Sequence, residues 1–403
     1  MPETVSFIHL DLGIGGAENL VINAAKGLKS KGHDVTIYTS HHDPKRAFKE
    51  TTDGTLKVVV YASWIPRQIF GRFTIFLSTF RMILICIMML INSNIADIVF
   101  TDQVSTVNPF VRLFGLARSR LIFYCHYPDV LLCVDRGSLI KRMYRYPFDM
   151  LERYTTSVCD VLLVNSEFTA KTLRDTFPDT KQDIQVLYPP IDTTAKVPNK
   201  PPQSFPPELS KQQPYLLSLN RYERKKDLAL VIESYAEFIG SKGSKPAAVT
   251  SPLLVVAGGY DPRLDENVQY YTELKNLAST LNVSDKVLFI QNASDDTRMY
   301  LLAHATAVIY SPQGEHFGIV PCEAMAVGTP VIAWNNGGPK ESVLHTQTGF
   351  LCNKRSDFSK SISRIVSMKP HEIVEMSKKC KERVVNTFSL SAFANKLNSY
   401  ATK

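Results

Sequence analysis

Gly314-Glu-His-Phe-Gly-Ile-Val-Pro-Cys-Glu-Ala-Met-Ala-Val-Gly-Thr-Pro-Val-Ile-Ala-Trp334 is the stretch from which the fold of this 403-residue chain is read. Pro321 suits a first helical position, where its missing N–H would have had no partner anyway. Gly328 suits the residue just past a helix end, where positive φ is wanted. Thr329–Trp334 then reads as a short buried strand. Loop, short helix and strand follow one another, with Glu315 expected in the loop and Glu323 in the first helical turn. Free backbone N–H groups at that helix start favour an anion, and two carboxylates beside them accept from hydroxyls. A ligand carrying hydroxyls next to phosphates fits this pattern. An ordinary strand-to-strand connection with two solvated glutamates explains it without any ligand.

Outward from this segment the same format recurs. Val5–Leu10, Asp34–Thr39, Leu56–Tyr61, Ile98–Asp102, Leu121–His126, Val161–Asn165 and Ile184–Tyr188 read as strands, separated mostly by helical patterns. After Pro214 the series resumes with Tyr215–Leu219, Leu253–Gly258, Lys286–Ile290, Ala307–Tyr310 and Thr329–Trp334. Strands alternating with helices make parallel doubly wound sheets. Residues 189–213 hold seven prolines and little periodicity, the mark of a linker. The expected organisation is an α/β domain over 1–190, a linker over 191–213, a second α/β domain over 214–385, and a C-terminal helix over 386–403 free to pack back on the first domain. Ligands in such sheets bind beyond the carboxyl ends of the strands.

Composition narrows the class. At 44% hydrophobic and 21% charged residues the chain has apolar material for two cores. Its net charge of +8 implies an anionic partner: a phosphorylated substrate, an acidic membrane face or, with no supporting motif, nucleic acid. Seven scattered cysteines without a Cys-x-x-Cys pair argue for a reducing compartment and against a zinc site. His41-His42-Asp43 reads as a loop at a strand end, and Asp295-Asp296 lacks an Asp-x-Asp metal pattern, so no metal is expected. The N-terminus opens directly into a strand, without a signal-peptide pattern.

Three further segments carry chemistry. Asp11-Leu-Gly-Ile-Gly-Gly-Ala-Glu18 follows the first strand, and Gly15 and Gly16 let backbone approach a ligand closely. His126-Tyr-Pro-Asp129 leaves the sheet in an extended turn, because Pro128 disfavours helix at Tyr127. Asn220-Arg-Tyr-Glu-Arg-Lys-Lys226 offers Arg221 and Lys226, a fork donor and a flexible point charge that could share two phosphates. Taken singly, the glycines read equally well as a structural turn, the histidine as a satisfied polar residue, and the basic run as a solvated helix start.

In this order, along nearly the whole chain, these segments resemble the signature of family 4 retaining glycosyltransferases, which have the GT-B architecture of two Rossmann-like domains facing a cleft. The wording Glu-His-Phe-Gly-Ile-Val-Pro is similar to the branch of that family that extends the dolichol-linked N-glycan precursor with mannose. The resemblance implies GDP-mannose as donor and a monomannosyl chitobiosyl diphosphodolichol as acceptor, extended by an α1,3 and then an α1,6 mannose with retention. It implies that Gly15, Gly16, Arg221, Lys226, Glu315, Phe317, Gly318 and Glu323 bind the donor. His126, Lys226 and Glu315 would act in catalysis: His126 as a donor to the sugar or departing oxygen, Lys226 on the diphosphate, Glu315 on the mannose. Glu323 would hold the ribose hydroxyls, and Glu18 would sit at a helix start in a capping role. No cofactor or metal is implied. The location would be the endoplasmic reticulum membrane, facing the cytosol, with other mannosyltransferases of the pathway as further partners. A family 4 transferase using a UDP-sugar, or a catalytically silent membrane adaptor, are the alternatives.

Phe73–Ile91 is apolar nearly all round and 19 residues long, but Arg81 sits near its middle. Trp64, Arg67 and Arg72 form an aromatic and basic flank before it, suited to a headgroup region and to the acceptor diphosphate. A buried domain helix, a helix lying in the membrane surface and a true span all remain open from sequence.

Overall fold

The apolar strands predicted above pair into two parallel sheets, one in each of two units. The structure is a computed structural model and describes residues 2–69, 73–132, 139–194, 196–209, 213–241 and 251–402. Arg72 and Cys133 lie outside the described residues. The first unit runs to Pro190 and takes in the chain again from Leu390; the second spans Ile191–Ser389.

In the first unit the strands are β1 (Thr4–Asp11), β2 (Asp34–His41), β3 (Lys57–Val60), β4 (Ala96–Asp102), β5 (Ala117–Cys125), β6 (Val161–Val164) and β7 (Ile184–Val186). Their order is β3-β2-β1-β4-β5-β6-β7, all parallel. Successive side chains point to opposite faces, and here both faces are covered. Ile8, Val99, Leu121 and Phe123 meet Met82, Ile85 and Met89 of the helix Thr74–Ile91 on one face. Phe7, Ile98, Phe100 and Ile122 meet Leu20, Val21 and Leu28 of the helix Gly16–Ser30 on the other. The helix Leu390–Ala401 adds Phe393, Leu397 and Ala401 to that second layer.

The second unit holds β8 (Tyr215–Leu219), β9 (Leu253–Gly258), β10 (Val287–Gln291), β11 (Ala307–Tyr310), β12 (Val331–Trp334) and β13 (Gly349–Cys352), in the order β10-β9-β8-β11-β12-β13. β13 is not among the strands expected from sequence. It has four residues and begins with a glycine, which sits so close to β12 that a Cβ would lie 1.9 Å from the Val331 carbonyl oxygen. Such a strand has no periodicity to read.

Two expectations are corrected, and one left open is narrowed. The proline-rich stretch is not a free linker over its described residues. Ile191 bridges to Ser389, Phe205 packs edge-on to Tyr300, and Ser204 bonds to Thr297 at 2.6 Å. Prolines removed backbone donors there, but the side chains still found a surface. The helix after Glu315 begins at Ile319, so Pro321 is its third residue and Glu323 its fifth, past the first turn. N–H groups throughout a first turn lack partners, so proline is tolerated there as well as at the first position. The helix Thr74–Ile91 is a layer of the domain. Leu77, Arg81, Met82, Ile85 and Met89 are buried, while Phe76, Phe80, Leu90 and Ile91 are exposed. Arg81 is 2% exposed, donating to both Asp11 carboxylate oxygens at 2.8 and 3.3 Å and to Ser40 Oγ at 2.9 Å. The charge that looked out of place in an apolar helix is a buried, paired one.

Strand order reverses between β1 and β4 in the first sheet and between β8 and β11 in the second. The crevice beyond such a reversal, at the carboxyl ends, is where these sheets receive ligands.

Candidate functional site

In the second unit, the segments after β8 and β11 are Asn220–Lys226 and Ser311–Gly318, flanking its reversal point. The first runs against the end of β9. Asn220 N donates to Ala257 O and Tyr222 N to Gly259 O. That approach needs Gly258, whose Cβ would stand 1.7 Å from the Asn220 carbonyl oxygen. Buried Tyr222 anchors the loop by its hydroxyl to Val256 O at 2.8 Å. Arg221 remains mostly exposed, and Glu223 holds both Arg221 (2.9 Å) and Lys225 (3.1 Å).

The two neighbouring lysines are separated by their surroundings. Lys225 is 66% exposed, whereas Lys226 is 13% exposed and places Nζ 2.5 Å from Glu315 Oε1. Ser311 Oγ donates to the Lys226 carbonyl, and Trp334 Nε1 donates to the Ser311 carbonyl, so β11 and β12 set the lysine's backbone. Glu315 is fixed from the loop after β12. Gly338 N donates to Glu315 O at 2.8 Å, and Asn336 Oδ1 accepts from Gly314 N. Gly337 has φ +56°, and its Cβ would lie 2.6 Å from the Glu315 carbonyl oxygen. Gly318, at φ +77°, turns the chain into the helix and lies against the Tyr310 ring. Glu323 pairs with Arg298 of the helix Asp295–His304. Phe317, expected among the donor-binding groups, is instead buried edge-on to Phe388 at 5.7 Å. Its ring fills the core under the loop, because an aromatic beside a glycine turn packs more readily than it stays in water. Burial pushes the His316 imidazole below its usual range, against the pull of Glu315.

In the first unit the Gly15–Gly16 turn follows β1, and Asp11 at the strand end takes Arg67 at 3.3 Å beside the Arg81 pair. Space around Gly16 is open, but a Cβ on Gly15 would meet the Glu18 carboxylate at 2.2 Å. Glu18 does sit in the first turn of its helix, and its carboxylate comes within 3.9 Å of His9 Nε2. His9 is wholly buried, and its Nδ1 stands 2.7 Å from Asp102 Oδ1. The other oxygen, Oδ2, faces His126 Nε2 at 3.0 Å. Glu18, His9, Asp102 and His126 therefore form one line across the ends of β1, β4 and β5. Burial opposes charge on His9, yet the Asp102 carboxylate and its hydrogen bond, with help from Glu18, raise it to about 10. Burial would raise Asp102, but His9 and His126 together hold it below its ordinary value. Glu18 is likewise held low, chiefly by His9.

His9, Asp102, Glu223 and Arg298 were not singled out from sequence. A polar residue inside the apolar run Val5–Leu10 and a carboxylate closing Ile98–Asp102 were the available signals for two of them. Trp64 is 76% exposed, whereas Arg67 is engaged with Asp11.

Comparisons place this chain among known proteins. A family model described as "Glycosyltransferase Family 4" matches residues 14–195, and one described as "Glycosyl transferases group 1" matches 199–386. A Dictyostelium discoideum protein named alpha-1,3/1,6-mannosyltransferase ALG2 is 41% identical over 415 residues, covering 99% of this chain and 98% of that one. The Homo sapiens protein of the same name is 40% identical, covering 99% and 96%. A solved glycosyltransferase from Rickettsia africae superposes with a TM-score of 0.71 over 99% of this chain and 98% of that one, at 17% identity, which speaks for the fold alone.

Proposed function

This chain belongs to the alpha-1,3/1,6-mannosyltransferase family within the family 4 glycosyltransferases, and from that premise we propose that it moves mannose from GDP-mannose onto a monomannosyl chitobiosyl diphosphodolichol. An α1,3 and then an α1,6 mannose are added, with the anomeric configuration retained. The observation that carries the donor half of this reading is the Lys226–Glu315 pair, held beside the β8–β11 reversal. A bound diphosphate competes with Glu315 for the ammonium of Lys226, and mostly exposed Arg221 supplies a second, bidentate cation. Together they neutralise the leaving group without a metal. Glu315, relieved of part of its lysine, accepts from mannose hydroxyls near the anomeric carbon. Glu323, oriented by Arg298, accepts from the ribose.

The bond from the anomeric carbon to the β-phosphate oxygen breaks while a bond to the acceptor oxygen forms on the same face. The acceptor proton passes to the departing phosphate oxygen. The enzyme is associated with the endoplasmic reticulum, its catalytic units on the cytosolic side. There the exposed Trp64, Phe76 and Phe80 rest on the bilayer surface and the dolichol chain stays in the lipid. Arg67 and Arg72 are the basic groups nearest that surface in sequence, suited to the acceptor diphosphate. Other mannosyltransferases of the same pathway are natural neighbours on that membrane.

The test combines purified protein, GDP-mannose and a synthetic monomannosyl chitobiosyl diphosphate with a phytanyl tail, read by mass. Successive gains of one and two hexoses, lost in Glu315→Ala, support the reading. No gain with lipid present, or a gain from UDP-sugars only, overturns it.

A further inference from the structure

Two imidazoles share one buried carboxylate in the first unit, and they use different ring nitrogens to do so. His9 meets Asp102 Oδ1 through Nδ1, and His126 meets Oδ2 through Nε2. An ionised carboxylate only accepts, so each nitrogen facing it carries a proton. We propose that Asp102, backed by His9, is a positioning residue that holds His126 with Nε2–H turned inward and Nδ1 left as its substrate-facing atom. In that tautomer His126 accepts a hydrogen bond at Nδ1. The group it recognises is therefore a hydroxyl, of the transferred sugar or of the acceptor, and a phosphate oxygen with no proton to give is disfavoured. This reverses the donor role that the sequence alone suggested for His126. It rests on the reading under Proposed function.

The rest of the line supports the assignment. Asp102 is buried, so its charge requires a partner. His9 supplies it: it is wholly buried between Asp102 and Glu18, and its Nε2, without a hydrogen-bond partner among the described residues, lies 3.9 Å from the Glu18 carboxylate. The upward shift of His9 agrees. Asp102 thus orients His126 through Oδ2 while its charge is matched by His9 at Oδ1. The backbone of His126 is fixed as well, since Asn165 Nδ2 donates to its carbonyl at 2.9 Å, and its ring lies edge-on to Tyr124. The ring is one-quarter exposed, whereas Asp102 is 1% exposed, so His126 is the member of the line that meets solvent and ligand. Which nitrogen of a histidine carries the proton is set by the bond its other nitrogen makes.

The experiment reads the tautomer directly. Full-length protein labelled with 15N at histidine is examined by long-range proton–nitrogen correlation at pH 8, with the His126 signals assigned by their loss in His126→Asn. The expected pattern is protonated Nε2 and bare Nδ1. A bare Nε2, or a rapidly exchanging mixture, overturns the proposal, and neither result depends on turnover. The second arm measures transfer in Asp102→Asn, whose amide must donate to one of the two rings and so forces a tautomer change. We expect kcat to fall on the order of ten- to a hundredfold, with KM for the sugar nucleotide little changed and the unfolding midpoint retained. A kcat within twofold of wild type in a folded protein with a switched His126 spectrum overturns the role. Should Asp102→Asn fold poorly, the wild-type spectrum still decides. If wild-type protein transfers no hexose, the proposed reaction fails, while the spectrum continues to judge the arrangement by itself.

Discussion

Gly15 shows how a residue's reason can differ from the one its motif suggests. Its φ of −171° is extended backbone open to any residue, so no conformational need explains it. What fills the place of its side chain is the Glu18 carboxylate. Because a glutamate tip can swing away, Gly15→Ala should cost less than about 1 kcal/mol of stability yet displace Glu18 from His9. The expected outcome is a double-mutant cycle with strong coupling: Gly15→Ala lowers transfer in wild type and does little in a Glu18→Ala background. An equal loss in both backgrounds would assign the glycine to direct ligand approach. At this scale the sequence was legible where chemistry clusters along the chain. Lys226 and Glu315 stand in separate motifs and meet at 2.5 Å. It was not legible where partners come from lone strand positions. His9 and Asp102 lie 93 residues apart, and only the β1–β4 neighbourhood brings them together.

Two elements of the first unit carry predictions of their own. The helix Thr74–Ile91 buries one face through Arg81 and Met82 and leaves Phe76 and Phe80 stacked and exposed on the other. Phe76→Glu with Phe80→Glu should leave the fold intact and reduce flotation with anionic vesicles at least severalfold. Unchanged flotation would remove this face from membrane contact. The helix Leu139–Thr155 supplies Glu152, which accepts from the backbone N–H groups of Asp129 and Val130 at the start of the helix Asp129–Leu132. Burial pushes its carboxyl up to about 7 despite those two bonds. The folded state thus holds a proton that the unfolded chain releases near its ordinary value of 4.5. Its contribution to stability is fully present below that value and is lost as pH rises through about 7. Unfolding midpoints from pH 5 to 8 should therefore fall more steeply for wild type than for Glu152→Gln. Equal slopes would refute the assignment. Elements with strong periodicity or continuous apolar runs were readable, and Tyr215–Leu219, Leu253–Gly258 and Ala307–Tyr310 match residue for residue. β13 was not readable, because a four-residue edge strand that starts with glycine is specified by its neighbour β12 and not by its own pattern.

For the molecule as a whole, the decisive feature is that its first unit is discontinuous. Alternating strands and helices announced two doubly wound units, and the C-terminal helix read as free to pack back on the first domain lies there as Leu390–Ala401. The missing Cβ of Gly27 admits Ala394 and lets the two helices close. Burial of Phe393 and Leu397 against the first sheet contributes about 1.5–3 kcal/mol each. A chain ended after Ser389 should lose much of the first unit's stability while the second unit melts as before, and a peptide of residues 390–402 added in trans should restore part of it. Independent melting of an intact first unit in the shortened chain would contradict this. The same feature orders events at the ribosome. The first unit emerges first but lacks its last helix until the roughly 200 residues of the second have been made, a wait of roughly 10–40 s at ordinary synthesis rates. During that interval the apolar cluster that Phe393, Leu397 and Ala401 complete lacks all three, so the nascent chain is a client for holding factors until its final turns arrive. The order of synthesis and the order of completion are opposite: the domain begun first is finished last.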